Sequence, residues 1–318
     1  MKKTISAALL LLLTTSLLLA ACAPAQPAGP VKIRAAVLPV LDVLPMVVAQ
    51  TEGLYAKHNL DVELLPVGSA PERDQLISAG QADVMVNELV SVMFLNQDQI
   101  QAQAVRYART ATSDQALFSI LVAGNSGIQD VDGLKDVPVG VSQATVIEYL
   151  TDRLLAAEGL SSAEIQNVAI PKIPDRMSLL ASGELKAAML PEPFTTLALQ
   201  QGATLVLDDR QHPEYSYSVI SFRKAMIDEQ PDAVKAFLAA IEEATTLINQ
   251  DPQQYSDLMV EQNMVPAPVA GAVQVPTYPT AGVPDESQFQ DTLAWAQAKG
   301  YLSQDLSYQD CVNGSLLP

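Results

Sequence analysis

Three acidic side chains are the residues in this sequence whose type and position could support chemistry. Asp42, Glu88 and Glu192 each follow a short apolar run and lie in segments that read as loops. Paired carboxylates can act as general acid and general base. Loop carboxylates also serve as helix caps or as hydrogen-bond acceptors for a ligand. We expect the acceptor role here, and therefore no catalytic residue.

Other catalytic and cofactor signatures are missing from the sequence. The two histidines, His58 and His212, are neither at metal-ligand spacing nor beside a cysteine, which argues against a zinc site. The Gly-x-Gly-x-x-Gly fingerprint and the Gly-Lys-Ser/Thr phosphate loop do not occur. The Gly-x-Ser-x-Gly elbow of hydrolases is also missing. We therefore predict a protein without enzymatic activity, cofactor or metal.

The carboxylates of the first half are positioned by alternating strands and helices. Predicted strands over 31–38, 60–65 and 82–86 alternate with predicted helices over 46–49 and 72–78. Such alternation is typical of a parallel sheet whose loops gather at the carboxyl ends of the strands. A ligand of this protein is therefore expected against those loops.

The same unit recurs about a hundred residues later. Residues 76–86 and 179–189 each contain a helix end, a glycine and a short apolar strand, and they lead to Glu88 and Glu192 respectively. Two α/β units with similarly built loops predict two lobes that face one cleft.

The second unit has its own predicted elements. A strand over 137–141 ends directly before a helix over 146–157, and Asp175 is expected to cap a helix over 176–181. An amphipathic helix is predicted over 231–250.

Two crossings between the units set the predicted domain boundaries. The chain enters the second unit close to Asp114 and returns close to Asp208. We predict that lobe I comprises residues 31–112 and 210–318, and that lobe II comprises residues 113–209.

The first thirty residues are predicted to be a targeting segment. Two lysines precede an apolar run over 5–19, and the sequence Leu-Ala-Ala-Cys ending at Cys22 follows directly. This order predicts a lipoprotein signal peptide over 1–21 with a lipid on Cys22; the alternative is a plain secretory peptide. Three prolines over 22–30 predict a stiff tether to the outer face of the cell membrane.

Composition narrows the classes of partner. The formal net charge is −18, and removal of residues 1–21 with their two lysines leaves −20. This charge repels nucleic acid and anionic lipid, so neither is an expected partner. Cys311 is the only cysteine besides Cys22, which leaves no disulfide framework. We expect a monomer.

Several segments carry a resemblance to a known family. They are 53–63, 68–69 and 76–83 in the first unit, and 133–135, 139–142, 175–183 and 192–194 in the second. Over about residues 31–250 the chain resembles the thiamine-precursor, sulfonate, nitrate and riboflavin-binding branch of ABC-importer solute receptors. The resemblance implies an α/β periplasmic-binding fold of type II, with two hinge strands and a cleft between the lobes. It also implies capture of a small molecule for delivery to a membrane permease.

The resemblance also implies which residues contact the ligand. The family's loop positions correspond here to Asp42, Ser69, Asn87, Glu88, Ser142, Gln143, Thr145 and Glu192. Aromatic rings near the crossings could stack on a planar ligand, although ordinary packing is an alternative role for each of them. These candidates are Tyr107, Tyr215 and Tyr217.

The charge of these loops guides the predicted ligand class. Residues 142–145 precede a helix, whose free N–H groups suit an anion. However, the loops contain no lysine or arginine, and an anion would meet three carboxylates in a poorly screened cleft. We therefore predict a heterocyclic vitamin or precursor, riboflavin or the thiamine pyrimidine. An organosulfonate, taurine or nitrate is the alternative.

Two other classes of function stay open. A related enzyme of thiamine-pyrimidine synthesis would require a histidine and a metal-binding cysteine cluster in the cleft, and neither is visible in the sequence. A sensor or structural lipoprotein would keep the fold and lose its ligand contacts.

Overall fold

A computed structural model describes residues 29–318. Val31–Pro318 forms one compact unit. The predicted signal peptide over 1–21, the lipid site at Cys22 and most of the predicted tether over 22–30 lie outside the described residues. Within those residues, no helix is both long and apolar enough to cross a membrane.

Ten strands in this part of the chain form two five-stranded sheets. The first sheet has the order β2-β1-β3-β10-β4, and the second has the order β7-β6-β8-β5-β9. The strands are β1 (Val31–Val37), β2 (Leu60–Pro66), β3 (Val84–Asn87), β4 (Ala102–Thr110), β5 (Phe118–Val122), β6 (Pro138–Val141), β7 (Gln166–Ala169), β8 (Ala187–Pro191), β9 (Thr204–Asp208) and β10 (Tyr217–Arg223).

Helices connect these strands and cover the sheets. The described helices are α1 (Leu44–Thr51), α2 (Leu54–Lys57), α3 (Ala70–Ser78), α4 (Leu89–Leu95), α5 (Val146–Ala157), α6 (Ile173–Ser182), α7 (Phe194–Gln200), α8 (Lys224–Glu229), α9 (Pro231–Gln250), α10 (Ser256–Glu261), α11 (Glu286–Ala298) and α12 (Tyr308–Cys311). The predicted bounds of α5 and α9 are confirmed, because a long apolar face fixes both helices.

Neither sheet is wholly parallel, which corrects the prediction from strand and helix alternation. Strands β1, β2 and β3 are parallel, but β10 pairs antiparallel with β3 and β4. Likewise β5 pairs antiparallel with β8 and β9 in the second sheet. The antiparallel strands, β5 and β10, are the first strands after each crossing. The chain enters the sheet there from the edge at which the parallel strands end, so the entering strand runs in the opposite direction. The boundaries proposed at 112/113 and 209/210 fall within these crossings.

The two sheets share part of their hydrophobic core. Leu89 and Val92 of α4, beside the first sheet, belong to the same buried cluster as Leu150 of α5 and Ile120 of β5. Burial of apolar area is the main favourable term in folding, so this shared cluster holds the two sheets against each other.

Helix α6 begins earlier than the sequence predicts. Its N-cap is Lys172, and Pro174 lies in the first turn, where a missing N–H costs nothing. Asp175 is therefore inside the first turn and does not cap the helix. This start places Arg176 in the first turn, and its side chain is buried.

Candidate ligand-binding site

A cavity lies where the ends of the strands of both sheets meet. The space between its walls is about 750 Å³, and this figure includes open solvent at the mouth. Residues at the carboxyl ends of all six parallel strands line it: Leu38, Gly68, Asn87, Ser142, Pro171 and Pro191. The first strands after each crossing contribute Phe118 and Tyr217. The cavity is therefore built from both units.

The walls of this cavity are mostly apolar. Aliphatic and aromatic side chains from both sheets form them: Leu38, Val40, Val86, Leu117, Phe118, Val146, Ile147 and Ile173. An apolar lining with a few polar groups is the usual composition of a small-molecule site.

Seven of the eleven side chains predicted to bind ligand line the cavity. They are Asp42, Ser69, Asn87, Glu88, Ser142, Thr145 and Tyr217. Their role as ligand contacts stays a prediction. Tyr107, Gln143, Glu192 and Tyr215 do not line it.

Gln143 and Tyr107 are directed elsewhere. Gln143 is exposed, although it follows Ser142 directly. The hydroxyl of Tyr107 donates to Oε1 of Gln288 at 2.6 Å, and burial raises the pKa of Tyr107 to about 12. Its ring packs edge-on against that of Tyr217. Tyr107 therefore supports a residue of the cavity wall from behind.

Glu192 and Tyr215 also have local partners. Oε2 of Glu192 accepts a hydrogen bond from the hydroxyl of Thr196 at 2.9 Å, and burial raises the pKa of the Glu192 carboxyl. Glu192 lines a second, more open cavity together with Arg109. The ring of Tyr215 packs edge-on against Tyr149.

The carboxylate of Asp42 is satisfied within the protein. Its Oδ1 accepts a hydrogen bond from the hydroxyl of Ser218 at 2.5 Å. Its Oδ2 lies 3.6 Å from Nη1 of Arg109. A ligand is therefore not needed to compensate this charge.

Glu88 is paired in the same way. Its two oxygens each lie 3.4 Å from a nitrogen of the Arg73 guanidinium. Burial raises the pKa of the Glu88 carboxyl, and Arg73 opposes this rise. Burial alone would lower the pKa of Arg73, but Asp74 and Glu88 raise it overall. Arg73 also donates to the Val86 carbonyl at 3.1 Å, which fixes the ion pair to β3.

Arginines reach the cavity although the predicted ligand loops contain none. Arg73 and Arg176 line the cavity, and Arg109 pairs with Asp42 at its edge. The sequence analysis considered loop residues only, whereas these side chains extend from α3, α6 and β4. One signal was available: Arg73 lies four residues after Ser69, one helical turn from the N-cap that faces the ligand.

Arg176 differs from the other two arginines because it has no acidic partner. Its Nη1 donates to the carbonyls of Ile170 at 2.8 Å and Pro171 at 3.3 Å. No carboxylate within the described residues lies within ion-pair distance. Its Nε is buried without a hydrogen-bond partner, and burial lowers the pKa of Arg176 to about 10.

Ser142 is a second polar side chain without a partner. Its Oγ is buried and makes no hydrogen bond within the described residues. The neighbouring Thr145 is fully used, because its Oγ1 accepts from the Ile147 N–H at 3.2 Å and donates to the Ser142 carbonyl at 2.7 Å. Thr145 therefore caps α5 and holds the loop that carries Ser142.

The lining of the cavity lacks two of the side chains that most often act in nucleophilic or metal-dependent catalysis. No histidine or cysteine is among its lining residues. The part of the chain that the structure describes contains no cluster of three side chains able to hold a metal ion. Its polar groups can bind and orient a molecule by hydrogen bonds and charge.

Comparison with known proteins identifies the family. A family model described as NMT1/THI5 like matches residues 41–255, more than half of the chain. The chain belongs to this NMT1/THI5-like family. The matched segment begins at the 3₁₀ turn Leu41–Val43 and includes every residue that lines the cavity except Leu38 and Val40. The family resemblance read from the sequence is thereby confirmed.

The individual relatives share a low sequence identity with this chain. The chain is 24% identical over 283 residues to a Haemophilus influenzae protein named for thiamine biosynthesis, covering 85% of this chain and 87% of the relative. Its fold is similar to that of the alkanesulfonate-binding protein SsuA from Xanthomonas axonopodis pv. citri, with a TM-score of 0.76, 17% identity and coverage of 90% and 99%. It is also similar to the desulfurization enzyme DSZB, with a TM-score of 0.65, 13% identity and coverage of 90% and 97%.

These likenesses confirm the predicted α/β fold with two sheets and a cleft between them. The same fold is used by a binding protein and by an enzyme. Function must therefore be argued from the cavity of this family member.

Proposed function

We propose that the protein is the extracytoplasmic solute-binding component of an ABC importer. It captures a small organic molecule between its lobes, comprising residues 31–112 with 210–318 and residues 113–209, and presents it to a permease. The supporting observation is the cavity at the strand ends, whose wall comes from both sheets. A ligand that contacts both walls stabilises the closed arrangement by its differential affinity for it.

One of the arguments for the predicted vitamin ligand no longer holds. That prediction depended on free carboxylates that would seek a donor-rich ligand, but Asp42 and Glu88 are paired with arginines. The apolar walls and Phe118 still suit a planar ring such as riboflavin or the thiamine pyrimidine. They equally suit the apolar body of an organic anion, the alternative ligand class. Both classes belong in a ligand screen.

An enzyme is the competing function, because the fold is shared with the desulfurization enzyme DSZB. Nucleophilic catalysis requires a base within hydrogen-bond reach of the nucleophile. The cavity's serines, Ser69, Ser142 and Ser218, have no histidine or cysteine among the other lining residues. We therefore propose binding without turnover.

Location and partners form part of this proposal. A lipid on Cys22, followed by the tether over 22–30, would keep the receptor beside its permease at the outer face of the cell membrane. The receptor would act as a monomer and would not bind nucleic acid, because its charge of −18 repels polyanions.

A thermal-shift screen tests the proposal. The panel contains riboflavin, aminopyrimidines, aliphatic sulfonates and carboxylates. A ligand at about 100 times its Kd adds about 2.7 kcal/mol to the free energy of unfolding and raises Tm accordingly. We expect at least one class to do so, to reduce the radius of gyration in solution scattering, and to be recovered unchanged.

Matched variants locate the binding. Val146→Trp fills the cavity from a half-buried position and should abolish the shift, whereas Leu199→Trp changes an exposed position outside it and should preserve the shift. Conversion of the bound compound, or an unchanged shift in Val146→Trp, would contradict the proposed function.

A further inference from the structure

Two buried hydrogen-bond donors without partners line the second-sheet side of the cavity. Arg176 is 1% exposed and its Nε has no partner; Ser142 is 3% exposed and its Oγ has none. Each unsatisfied buried polar group costs stability, and a buried cation without a counter-ion costs more. Two such groups in one cavity indicate a partner that binds there.

Backbone hydrogen bonds bring these two donors to the same place. Nη1 of Arg176 donates to the Ile170 carbonyl, and the Ile170 N–H donates to the Val141 carbonyl at 2.8 Å. Ser142 follows Val141 directly, and β6 and β7 are neighbouring parallel strands. The guanidinium and the hydroxyl therefore lie at adjacent strand ends of the second sheet.

The acidic groups of the cavity do not neutralise Arg176. Asp42 is paired with Arg109, and Glu88 is paired with Arg73. At the start of α5, the Ile147 N–H already donates to Oγ1 of Thr145. Among the described residues that line the cavity, Arg176 is the charged group without an opposite charge beside it.

We propose that Arg176 and Ser142 form a subsite for an organic oxyanion, a single carboxylate or sulfonate group joined to an apolar body. This inference rests on the proposed solute-binding function and names its ligand class. The guanidinium presents a planar fork of N–H donors that matches a carboxylate or a sulfonate, and Ser142 adds one O–H donor.

The rest of the cavity selects the body of this ligand. Ile147, Ile173 and Phe118 belong to its apolar wall, which offers no donors to a second charged group. A small inorganic anion would leave this wall wet, whereas an alkyl chain or ring would bury it. An amine would face Arg176 and be repelled. The subsite therefore favours amphiphilic anions over inorganic anions and over cations.

Isothermal titration calorimetry with matched probes tests the subsite. The probes are hexanoate, hexane-1-sulfonate, hexan-1-ol, inorganic sulfate, riboflavin and an aminopyrimidine. We expect at least one hexyl anion to bind about tenfold or more tightly than hexan-1-ol, since charge-assisted hydrogen bonds are stronger than neutral ones. Sulfate, which lacks an apolar body, should bind more weakly than hexane-1-sulfonate.

Two variants connect that preference to Arg176. Arg176→Gln keeps an amide that can donate to the Ile170 carbonyl but removes the charge. It should weaken anion binding by about 10- to 100-fold and leave hexan-1-ol unaffected. Arg176→Lys should retain part of the anion affinity, because its charge is kept and its fork is lost. Arg153→Gln is the control, since Arg153 pairs with Asp291 away from the cavity.

Four other results would contradict the proposed subsite. Equal affinity for hexan-1-ol and both hexyl anions overturns the subsite, and so does sulfate binding as tight as that of hexane-1-sulfonate. Binding of riboflavin or the aminopyrimidine that is unchanged in Arg176→Gln overturns the subsite while the solute-binding function survives. Absence of binding by every probe rejects both.

Discussion

The two walls of the cavity use arginine in opposite ways. On the first-sheet wall, Arg73 is buried and bonded to Glu88, to Asp74 and to the Val86 carbonyl. On the second-sheet wall, Arg176 is buried to the same degree, but its hydrogen bonds to the described residues go only to two backbone carbonyls, from Nη1. The arginine of the first wall has acidic partners within the protein, whereas the arginine of the second wall has no acidic partner and an unbonded Nε.

This difference separates structural charge from binding charge. A buried ion pair offsets part of its own desolvation cost, and Arg73 on the first wall has acidic partners without a ligand. The second wall retains a cost that only an added anion removes. Binding sites commonly lower the stability of a protein in this way, because groups directed at a ligand are unsatisfied without it. The asymmetry is why we assign ligand charge recognition to Arg176.

Replacement of the paired arginine should have the largest effect on stability. Arg73→Gln leaves the buried Glu88 carboxylate without its counter-ion, and we expect the free energy of unfolding to fall by about 3–5 kcal/mol. Urea denaturation of the ligand-free protein measures this change. Arg210→Gln is the control: Arg210 is about half exposed and pairs with Asp208, so its loss should cost less than about 1 kcal/mol. Similar losses in both variants would show that the first wall does not depend on its ion pair.

Asp209 is a third buried ionisable side chain, and backbone N–H groups hold it where Arg73 has a counter-ion and Arg176 has none. Asp209 lies on the return crossing and accepts hydrogen bonds at 3.0 Å from the N–H groups of Leu117 and Phe118 on the outgoing crossing. Burial raises the pKa of its carboxyl to about 6, although these amides oppose the rise and Asp208 adds to it. Burial therefore outweighs the hydrogen-bond donors that hold this carboxylate.

The sign of the pH dependence follows from this raised pKa. Between the ordinary aspartate value of 3.8 and about 6, the folded protein holds a proton on Asp209 that the unfolded chain has released. Stability should therefore fall as pH rises through this window, by up to about 3 kcal/mol. Urea denaturation from pH 4 to pH 7 should show a shallower slope in Asp209→Asn than in the parent, because Glu88 and Glu192, whose pKa values are also raised, still contribute. Parallel pH profiles would remove Asp209 as the cause.

Replacement of the unpaired arginine should have the smallest effect. Arg176→Gln removes a charge that has no counter-ion to leave behind, and the new amide can still donate to the Ile170 carbonyl. We expect the free energy of unfolding without ligand to change by less than about 1 kcal/mol, because relief of the desolvation cost of the charge offsets the weakened carbonyl contacts. The same urea experiment as for Arg73→Gln provides the comparison. A loss near that of Arg73→Gln would mean that Arg176 is structural, and the contrast between the walls would disappear.

The sequence allowed much of the architecture to be predicted, and the reasons are local. Val146–Ala157 and Pro231–Gln250 have long apolar faces, so their bounds could be read directly. Gly80 and Gly183 end or follow helices with positive φ, as their positions before apolar strands indicated. The start of α6 was missed because Lys172 makes no side-chain capping bond, whereas Asp175 has the residue type of a cap.

The site could be predicted only in part. Residues in loops after strands, such as Ser69, Asn87 and Ser142, reach the cavity because parallel strands end on one edge. Gln143 does not, because it lies in the turn between β6 and α5, where its side chain is exposed. The arginines were missed because their side chains are long enough to reach the cavity from a helix or a neighbouring strand.

By itself, the sequence determined the family, through its resemblance, and the two α/β units and the loops that line the cavity, through periodicity, breakers and strand order. Tertiary structure alone decided which charges are free. Arg73 and Arg109 are neutralised by Glu88 and Asp42, whereas Arg176 is not. Charge in a low-dielectric cavity depends on separations of a few ångströms between side chains far apart in the chain. Such distances are fixed only when the two sheets pack together.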